Sequence, residues 1–227
     1  MTPILEIENL TGGYRDTTVL QGVSARIEPG SVLGIFGRNG VGKTTLARLV
    51  QGSLSASGGD IRLDRRSVVG LPAYARRALG IGYMPQTSMV FDDLTVRENL
   101  NLSNNRETPE RYFERFPRLA ERLDQPAGTM SGGERKILAF VRTMIEDTRV
   151  LVLDEPSEGV QPENIEHMAD CLKERAVAGV GILLCEQNLT FLTSISSWYL
   201  GLDTGQVVLD KPSSEVSEPS LGSILSL

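Results

Sequence analysis

Between an uninterrupted apolar run, Val32 to Phe36 with one glycine in it, and a segment of helical spacing lies "GRNGVGKTT", residues 37 to 45. It fits the pattern G-x-x-x-x-G-K-[ST], whose glycines let the backbone turn sharply from a buried strand into a helix. The flanks agree with that placement. "VSARIEPGSVLGIFG" alternates apolar and polar residues until it becomes wholly apolar, as half-buried strand gives way to fully buried strand. "TTLARLVQG" then sets Leu46, Leu49 and Val50 at helical spacing and stops at Gly52. Strand, glycine-rich turn and helix in that order define an α/β unit with a phosphate-sized cradle at its turn.

The cradle consists of Gly37, Arg38, Asn39, Gly40, Val41 and Gly42, with Lys43, Thr44 and Thr45 opening the helix. Backbone N–H groups freed by glycine geometry, together with the helix N-terminus, favour an anion there. Lys43 is expected to reach the β- and γ-phosphates of a nucleotide, and the Thr44 hydroxyl to ligate Mg²⁺. A second motif, "VLVLDEP" at residues 150 to 156, is an apolar strand that ends in two carboxylates. Ligands of open α/β sheets bind at the carboxyl ends of strands, which puts this pair opposite the cradle. Asp154 is then the metal-side acid, and Glu155 the general base or water-orienting group for attack on the γ-phosphate. Standing alone, the two acids could merely end a strand and cap a helix; with the cradle present, each motif predicts the other.

The 227 residues, 40% hydrophobic, suit one large domain or a core with an inserted lobe. From Thr87 to Gly128 the texture changes: Thr95 and Glu98 stand at capping-box spacing, and Pro109, Pro117 and Pro126 punctuate short helical runs. A helical lobe over 87–128 is therefore expected inside a catalytic core of 1–86 and 129–210. Within the core, a strand "RVLVLDEP", a helix near 162–178, a strand "VGILLC" and a hairpin turning at Asp203 to Gly205 follow in order. The Ser- and Pro-rich tail, 211–227, is expected to pack poorly.

A net charge of −6 argues against a nucleic-acid footprint. Arg62, Arg65 and Arg66 cluster, as do the arginines from Arg111 to Arg122, but the second group alternates with glutamates and reads as a solvated helix face. Cys171 and Cys185, without metal-ligand spacing, imply neither a disulfide scaffold nor a metal site, and suit a reducing compartment. The start lacks a basic, then apolar, leader pattern, and no apolar run nears the ~20 residues of a membrane span. Membrane association is expected to run through a partner.

Four more stretches narrow the choice among phosphate-loop proteins: "GGY" at 12–14, "MPQ" at 84–86, "MSGGERK" at 130–136 and "EPSEGVQP" at 155–162. With them the chain resembles, over nearly its whole length, the ATP-binding subunit of ATP-binding-cassette (ABC) transporters. The spacing of these motifs and "EQN" at 186–188 looks most like the branched-chain amino-acid and urea importer branch, in its smaller F-type ATPase subunit. The resemblance implies an α/β phosphate-loop core with an N-terminal antiparallel β subdomain and an inserted helical subdomain. It also implies ATP hydrolysis with ATP and Mg²⁺, and a peripheral place on the cytoplasmic face of the membrane. The implied partners are permease subunits, a second cassette of identical or different sequence, and indirectly an external solute-binding protein; nucleic acid is not among them. Rival readings are an exporter cassette that moves lipid or drug, and a soluble cassette protein acting on nucleic acid or ribosomes.

By the same resemblance Tyr14 stacks on adenine, and Gln86 touches Mg²⁺ or the attacking water. Ser131, Gly132 and Gly133 contact the γ-phosphate of ATP held by an opposing subunit, and Asp154 and Thr44 hold the metal. "TSMVFDDLTVRENL" would offer a groove for a permease helix through Met89, Val90 and Phe91. On the residues alone, Tyr14 in a turn is ordinarily a surface ring, while Gln86 is equally a loop amide and the three apolar residues are equally core packing. Ser131 and Glu134 form an S-x-x-E capping box, a role compatible with phosphate binding. Two departures stand out: Met130 and Glu134 lie where the family more often has Leu and Gln, and a carboxylate at 134 would weaken closure of a dimer. A third is Gln187, which occupies the place of a switch histidine in many cassettes, while the one histidine, His167, lies one element too early. An amide can donate to a phosphate but cannot take up a proton near neutral pH, which leaves Glu155 as the base.

Overall fold

The computed structural model describes residues 2–15, 17–87, 90–102, 107–217 and 220–222. The chain opens with an antiparallel pair, β1 (Leu5–Tyr14) and β2 (Thr17–Ile27), followed by β3 (Val32–Phe36) and α1 (Lys43–Gln51). Next come β4 (Ala56–Leu63), β5 (Arg66–Ser67), α2 (Ala73–Ala78) and β6 (Ile81–Met84). The lobe region contributes α3 (Val96–Leu100) and α4 (Pro117–Glu121), with 3₁₀ turns at Pro109–Tyr112 and Ala127–Thr129. The remainder runs α5 (Gly132–Met144), β7 (Val150–Asp154), α6 (Pro162–Val177), β8 (Gly181–Cys185), α7 (Leu189–Ile195), β9 (Trp198–Asp203) and β10 (Gln206–Pro212).

Two sheets result. The smaller is antiparallel, in the order β2-β1-β4-β5; the larger is ordered β10-β9-β3-β8-β7-β6 and is parallel except for the edge strand β10. The central strands are apolar at nearly every position because both of their faces are covered. Val32 and Phe36 of β3, Leu151 and Leu153 of β7, and Ile182 and Leu184 of β8 face one core, shared with α5, α6 and the lobe. Leu33 and Ile35, Val150 and Val152, and Leu183 and Cys185 face the other, shared with α1 and the antiparallel sheet. The period of two along each strand thus glues both layers to one sheet.

In the expected lobe the helices are short, and α3 is the one held by a side-chain cap among the described residues. Thr95 Oγ1 accepts from the Glu98 N–H at 3.1 Å while Glu98 Oε2 accepts from the Thr95 N–H at 2.8 Å, closing the capping box read from sequence. Arg115 and Arg111 of the lobe both reach Glu174 of α6, at 2.5 and 3.2 Å, and Arg118 pairs with Glu121, so this arginine group is spent on neighbouring acids. The boundary expected at 210 falls inside β10, and Leu221 of the tail is fully buried in the core beside the lobe. Cys171 and Cys185 are buried free thiols.

Candidate active site

The sheet delivers the two sequence motifs to one place. β3 ends at Phe36 and runs into the glycine loop, while β7, two strands away across β8, ends at Asp154. Gly37 (φ +151°) lies so close to β9 that a Cβ there would meet Leu202 O at 2.3 Å, and at Gly42 (φ +116°) it would meet Leu20 Cδ2 at 2.5 Å. Only glycine fits either position. Gly42 is also the N-cap of α1 and has no side chain to satisfy the first helical N–H groups, so they are offered to an anion.

Lys43 is buried and folds back over the loop, donating to Gly37 O at 2.8 Å and Arg38 O at 3.0 Å. Its ammonium also lies 3.4 Å from Glu155 Oε1. Thr44 Oγ1 donates to Asp154 Oδ1 at 3.1 Å. The other oxygen of Asp154, Oδ2, is buried without a partner among the described residues, and burial pushes this carboxyl up to about 6. A hydroxyl oxygen and an unsatisfied carboxylate oxygen side by side form the donor set a hard divalent cation takes.

Glu155 is 6% exposed and sits at φ +49°, a left-handed conformation that is uncommon for a residue with a side chain. Its N–H donates to Cys185 O at 2.9 Å. Both carboxylate oxygens are met by amides: Gln187 Nε2 donates to Oε1 at 2.7 Å and Gln86 Nε2 to Oε2 at 3.0 Å. Gln187 Nε2 also donates to Asn39 Oδ1, and Gln86 Nε2 to Glu158 Oε2 at 3.2 Å. Lys43, Thr44, Asn39, Gln86, Asp154, Glu155 and Gln187 therefore converge. His167 does not; it sits in α6 with its ring edge-on to Phe116.

Tyr14, the residues 131–133 and the expected groove residues make no hydrogen bond to that cluster among the described residues. Tyr14 is 39% exposed and its hydroxyl accepts from Arg48 Nη1 at 3.3 Å, with the guanidinium 6.0 Å from the ring centre. Ser131, Gly132 and Gly133 start α5, and among the described residues no hydrogen bond joins them to the loop 37–45. Ser131 Oγ accepts from the Glu134 N–H at 3.3 Å, and Glu134 Oε2 from the Ser131 N–H at 2.8 Å. Of the three expected groove residues, Val90 is half-buried against the core, Phe91 is 55% exposed, and Met89 lies outside the described residues.

Two participants are absent from the sequence reading. Glu186, 2% exposed, accepts from the N–H groups of Ser157 at 2.9 Å, Gln187 at 3.0 Å and Asn188 at 3.1 Å, which fixes the strand end that carries Gln187. Glu158 shares Gln86 with Glu155. Both stood in motifs quoted above, but a carboxylate whose partner comes from a separate loop, Ser157 for Glu186 and Gln86 for Glu158, leaves no trace in spacing.

Comparison with known proteins decides the family. The family described as "ABC transporter" matches residues 20–158, more than half of the chain. The chain belongs to the ABC transporter family. The cassette is 33% identical over 213 residues to the high-affinity branched-chain amino acid transport ATP-binding protein BraG of Pseudomonas aeruginosa, covering 91% of each chain. It is 34% identical to the probable branched-chain amino acid transport ATP-binding protein LivF of Archaeoglobus fulgidus, over 95% of this chain and 94% of the other. It is also 32% identical, over 82% of its length and 81% of the other, to the lipopolysaccharide export system ATP-binding protein LptB of Haemophilus influenzae. A solved ATP-binding subunit of an ABC transporter superposes with a TM-score of 0.87 at 24% identity, over 99% of this chain and 100% of that one, and so shares the fold. The cassette is an ATPase and binds ATP, as a subunit that works with membrane permease components. No helix among the described residues is long and apolar enough to cross a membrane.

Proposed function

We propose that this cassette powers uptake of a small polar solute, branched-chain amino acids or urea-like amides, from the cytoplasmic face of the membrane. The reading is carried by "EQN": Gln187 is wired to both Asn39 and Glu155. That arrangement supports a working site despite the missing histidine, and the branch itself is read from the "EQN" motif and from similarity. Similarity to BraG and LivF over nearly the whole chain supports the branch. Assignment to its smaller F-type subunit rests on motif spacing alone.

In the proposed cycle the loop 37–45 and the α1 N-terminus hold the phosphates, with Lys43 leaving its loop carbonyls for the β- and γ-oxygens. Tyr14, steadied by Arg48, lies under the adenine. Thr44, Asp154 and Gln86 would hold Mg²⁺, which would supply charge neutralisation of the phosphates. The orphaned Asp154 Oδ2 is the observation that fits these residues to the ion. Glu155 takes the proton of the attacking water, and Gln187 orients that water and the γ-phosphate. Ser131, Gly132 and Gly133 would complete the site of a second cassette, identical or not, so that two ATP molecules are enclosed between two subunits. ATP's preference for the closed pair shifts the population, and the permease moves with it.

A cavity of about 450 Å³ between core and lobe, lined by Tyr74, Tyr83, Phe91, Leu102 and Arg142, is the proposed seat of a permease helix. Tyr74 and Phe91 are 79% and 55% exposed there. An external solute-binding protein would deliver the solute to the permease. The experiment is co-purification from detergent with the encoded permease pair, followed by solute-stimulated ATP hydrolysis in liposomes. Recovery of the cassette as a soluble species without permease would defeat the reading. The similarity to LptB favours a second reading, an exporter of lipid, which the same liposomes would reveal by the direction of transport.

A further inference from the structure

Lys136 lies on the buried face of α5, five residues after Ser131, and is 4% exposed. A lysine is almost never so deeply buried unless its charge is compensated. Here no carboxylate lies within ion-pair distance among the described residues. Among the described residues the ammonium makes one hydrogen bond, to the main-chain carbonyl of Gln86 at 2.5 Å. Four carboxylates surround it at longer range, Glu158, Glu186, Asp154 and Glu155, and they oppose the effect of burial, which pulls its pKa down. One residue, Gln86, is therefore held twice. Its backbone is held by the helix that begins with Ser131–Gly133, and its side chain holds Glu155 and Glu158.

A lysine whose task was packing could be replaced by an apolar side chain of similar length. This one instead keeps a charge in the interior to reach one carbonyl of the loop that enters the lobe. We propose that Lys136 is a positioning residue that couples Gln86 to the signature helix, so that the face offered to a partner's nucleotide follows the state of Gln86. The inference rests on the reading above that Ser131–Gly133 meet ATP on a second cassette. Movement of Gln86 on metal and nucleotide binding would be passed to α5 through one short hydrogen bond.

The test uses the full chain in a Glu155→Gln background and measures the ATP concentration for half-maximal dimerisation by sedimentation, alongside ATP affinity from calorimetry. Lys136→Met should raise the ATP concentration needed for dimerisation by about tenfold, within the range of a typical coupling. It should leave the affinity for ATP in its own loop within about twofold, on the same coupling scale. Lys136→Arg keeps the charge and a donor and should dimerise close to the parent, so the comparison survives if the methionine variant folds poorly. In steady state Lys136→Met should lower kcat, and Gln86→Ala added to it should lower kcat little further, because both act through one link. Dimerisation of the methionine variant at the parental ATP concentration, equal impairment by methionine and arginine, or additive losses with Gln86→Ala would each overturn the inference. A Glu155→Gln parent that fails to dimerise at all defeats the two-subunit reading itself, a result distinct from failure of the lysine variants alone.

Discussion

Gln187 donates its side-chain amide to Glu155 Oε1 at 2.7 Å, and the same nitrogen bonds Asn39 Oδ1 in the phosphate loop. Contact with both the proposed base and the cradle is what the proposed switch role of Gln187 requires. In its proposed role Gln187 turns N–H groups that are spent here on Asn39 and Glu155 toward a transferring phosphate, and loss of one such donor typically costs about 10²- to 10³-fold in kcat. Gln187→Ala is expected to lose turnover on that scale with ATP affinity within about threefold. Gln187→His, which restores a donor at the same place, should match or exceed the parent. Steady-state phosphate release decides, and a histidine variant at the alanine level would remove Gln187 from the site.

Among the described residues, Glu155 is the carboxylate flanked by Lys43, Gln86 and Gln187 together. Replacement by glutamine keeps its volume and removes its basicity. Glu155→Gln should bind ATP as the parent does and lose about 10²- to 10⁴-fold in turnover, the usual contribution of a general base. Binding by calorimetry and single-turnover hydrolysis separate the two, and undiminished hydrolysis would hand the role of base to another group.

Arg76 carries a prediction about stability. It is 1% exposed and donates to four main-chain carbonyls: Leu71 at 2.9 Å, Leu49 at 2.6 Å, Val50 at 2.9 Å and Val69 at 2.7 Å. Two of them belong to the last turn of α1, whose carbonyls have no partner within the helix. Arg76→Met would leave several buried acceptors unsatisfied and should cost on the order of 4 kcal/mol in urea unfolding. Arg76→Lys, with one ammonium for four carbonyls, should cost roughly half as much. A change under about 1 kcal/mol in the methionine variant would mean that water reaches those carbonyls.

How much of this was legible beforehand follows from how local each signal is. The glycine loop, the acidic end of β7, both capping boxes and the hairpin at Thr204 and Gly205 are short-range features, and sequence placed them where they stand. β4, β6, α2 and α7 were not drawn out: β6, α2 and α7 are short, and β4, though eight residues long, opens on small residues and owes its form to pairing with β1. β6, only four residues long, is secured by pairing with β7. Arg76 illustrates the same limit within the cluster of polar residues. Nothing in "AYARRALG" distinguishes the fully buried Arg76 from its half-exposed neighbour Arg77, since the carbonyls that claim it come from α1 and the preceding loop. Lys136, Glu158 and Glu186 were passed over for that reason too: each has a partner that lies 29 to 72 residues away, Gln86 for Lys136 and Glu158 and Ser157 for Glu186.

Glu134 departs from the glutamine more common at its position, and the structure shows how its charge is contained. Oε2 accepts from the Ser131 N–H at 2.8 Å, and Arg122 lies 3.4 Å from Oε1. The Ser131 backbone bond is the main cause that lowers its pKa, with Arg122 adding to it. A carboxylate whose folded pKa is depressed contributes stability that is present above its ordinary value. That contribution is lost as pH falls through the folded value. The capping box should therefore weaken below about pH 4.5, with a cap worth roughly 1 kcal/mol. Glu134→Gln keeps the reach of the cap without the titration. It should unfold within about 0.5 kcal/mol of the parent at neutral pH and show a flatter acid limb. Because Arg122 already offsets the charge, the same substitution should change ATP turnover by less than about threefold. Arg122→Ala, which leaves the carboxylate uncompensated beside the proposed partner phosphate, should lower turnover more than Glu134→Gln raises it. Loss of that effect in the double variant Arg122→Ala, Glu134→Gln would attribute it to the charge of residue 134, and persistence of the loss would assign Arg122 a contact of its own.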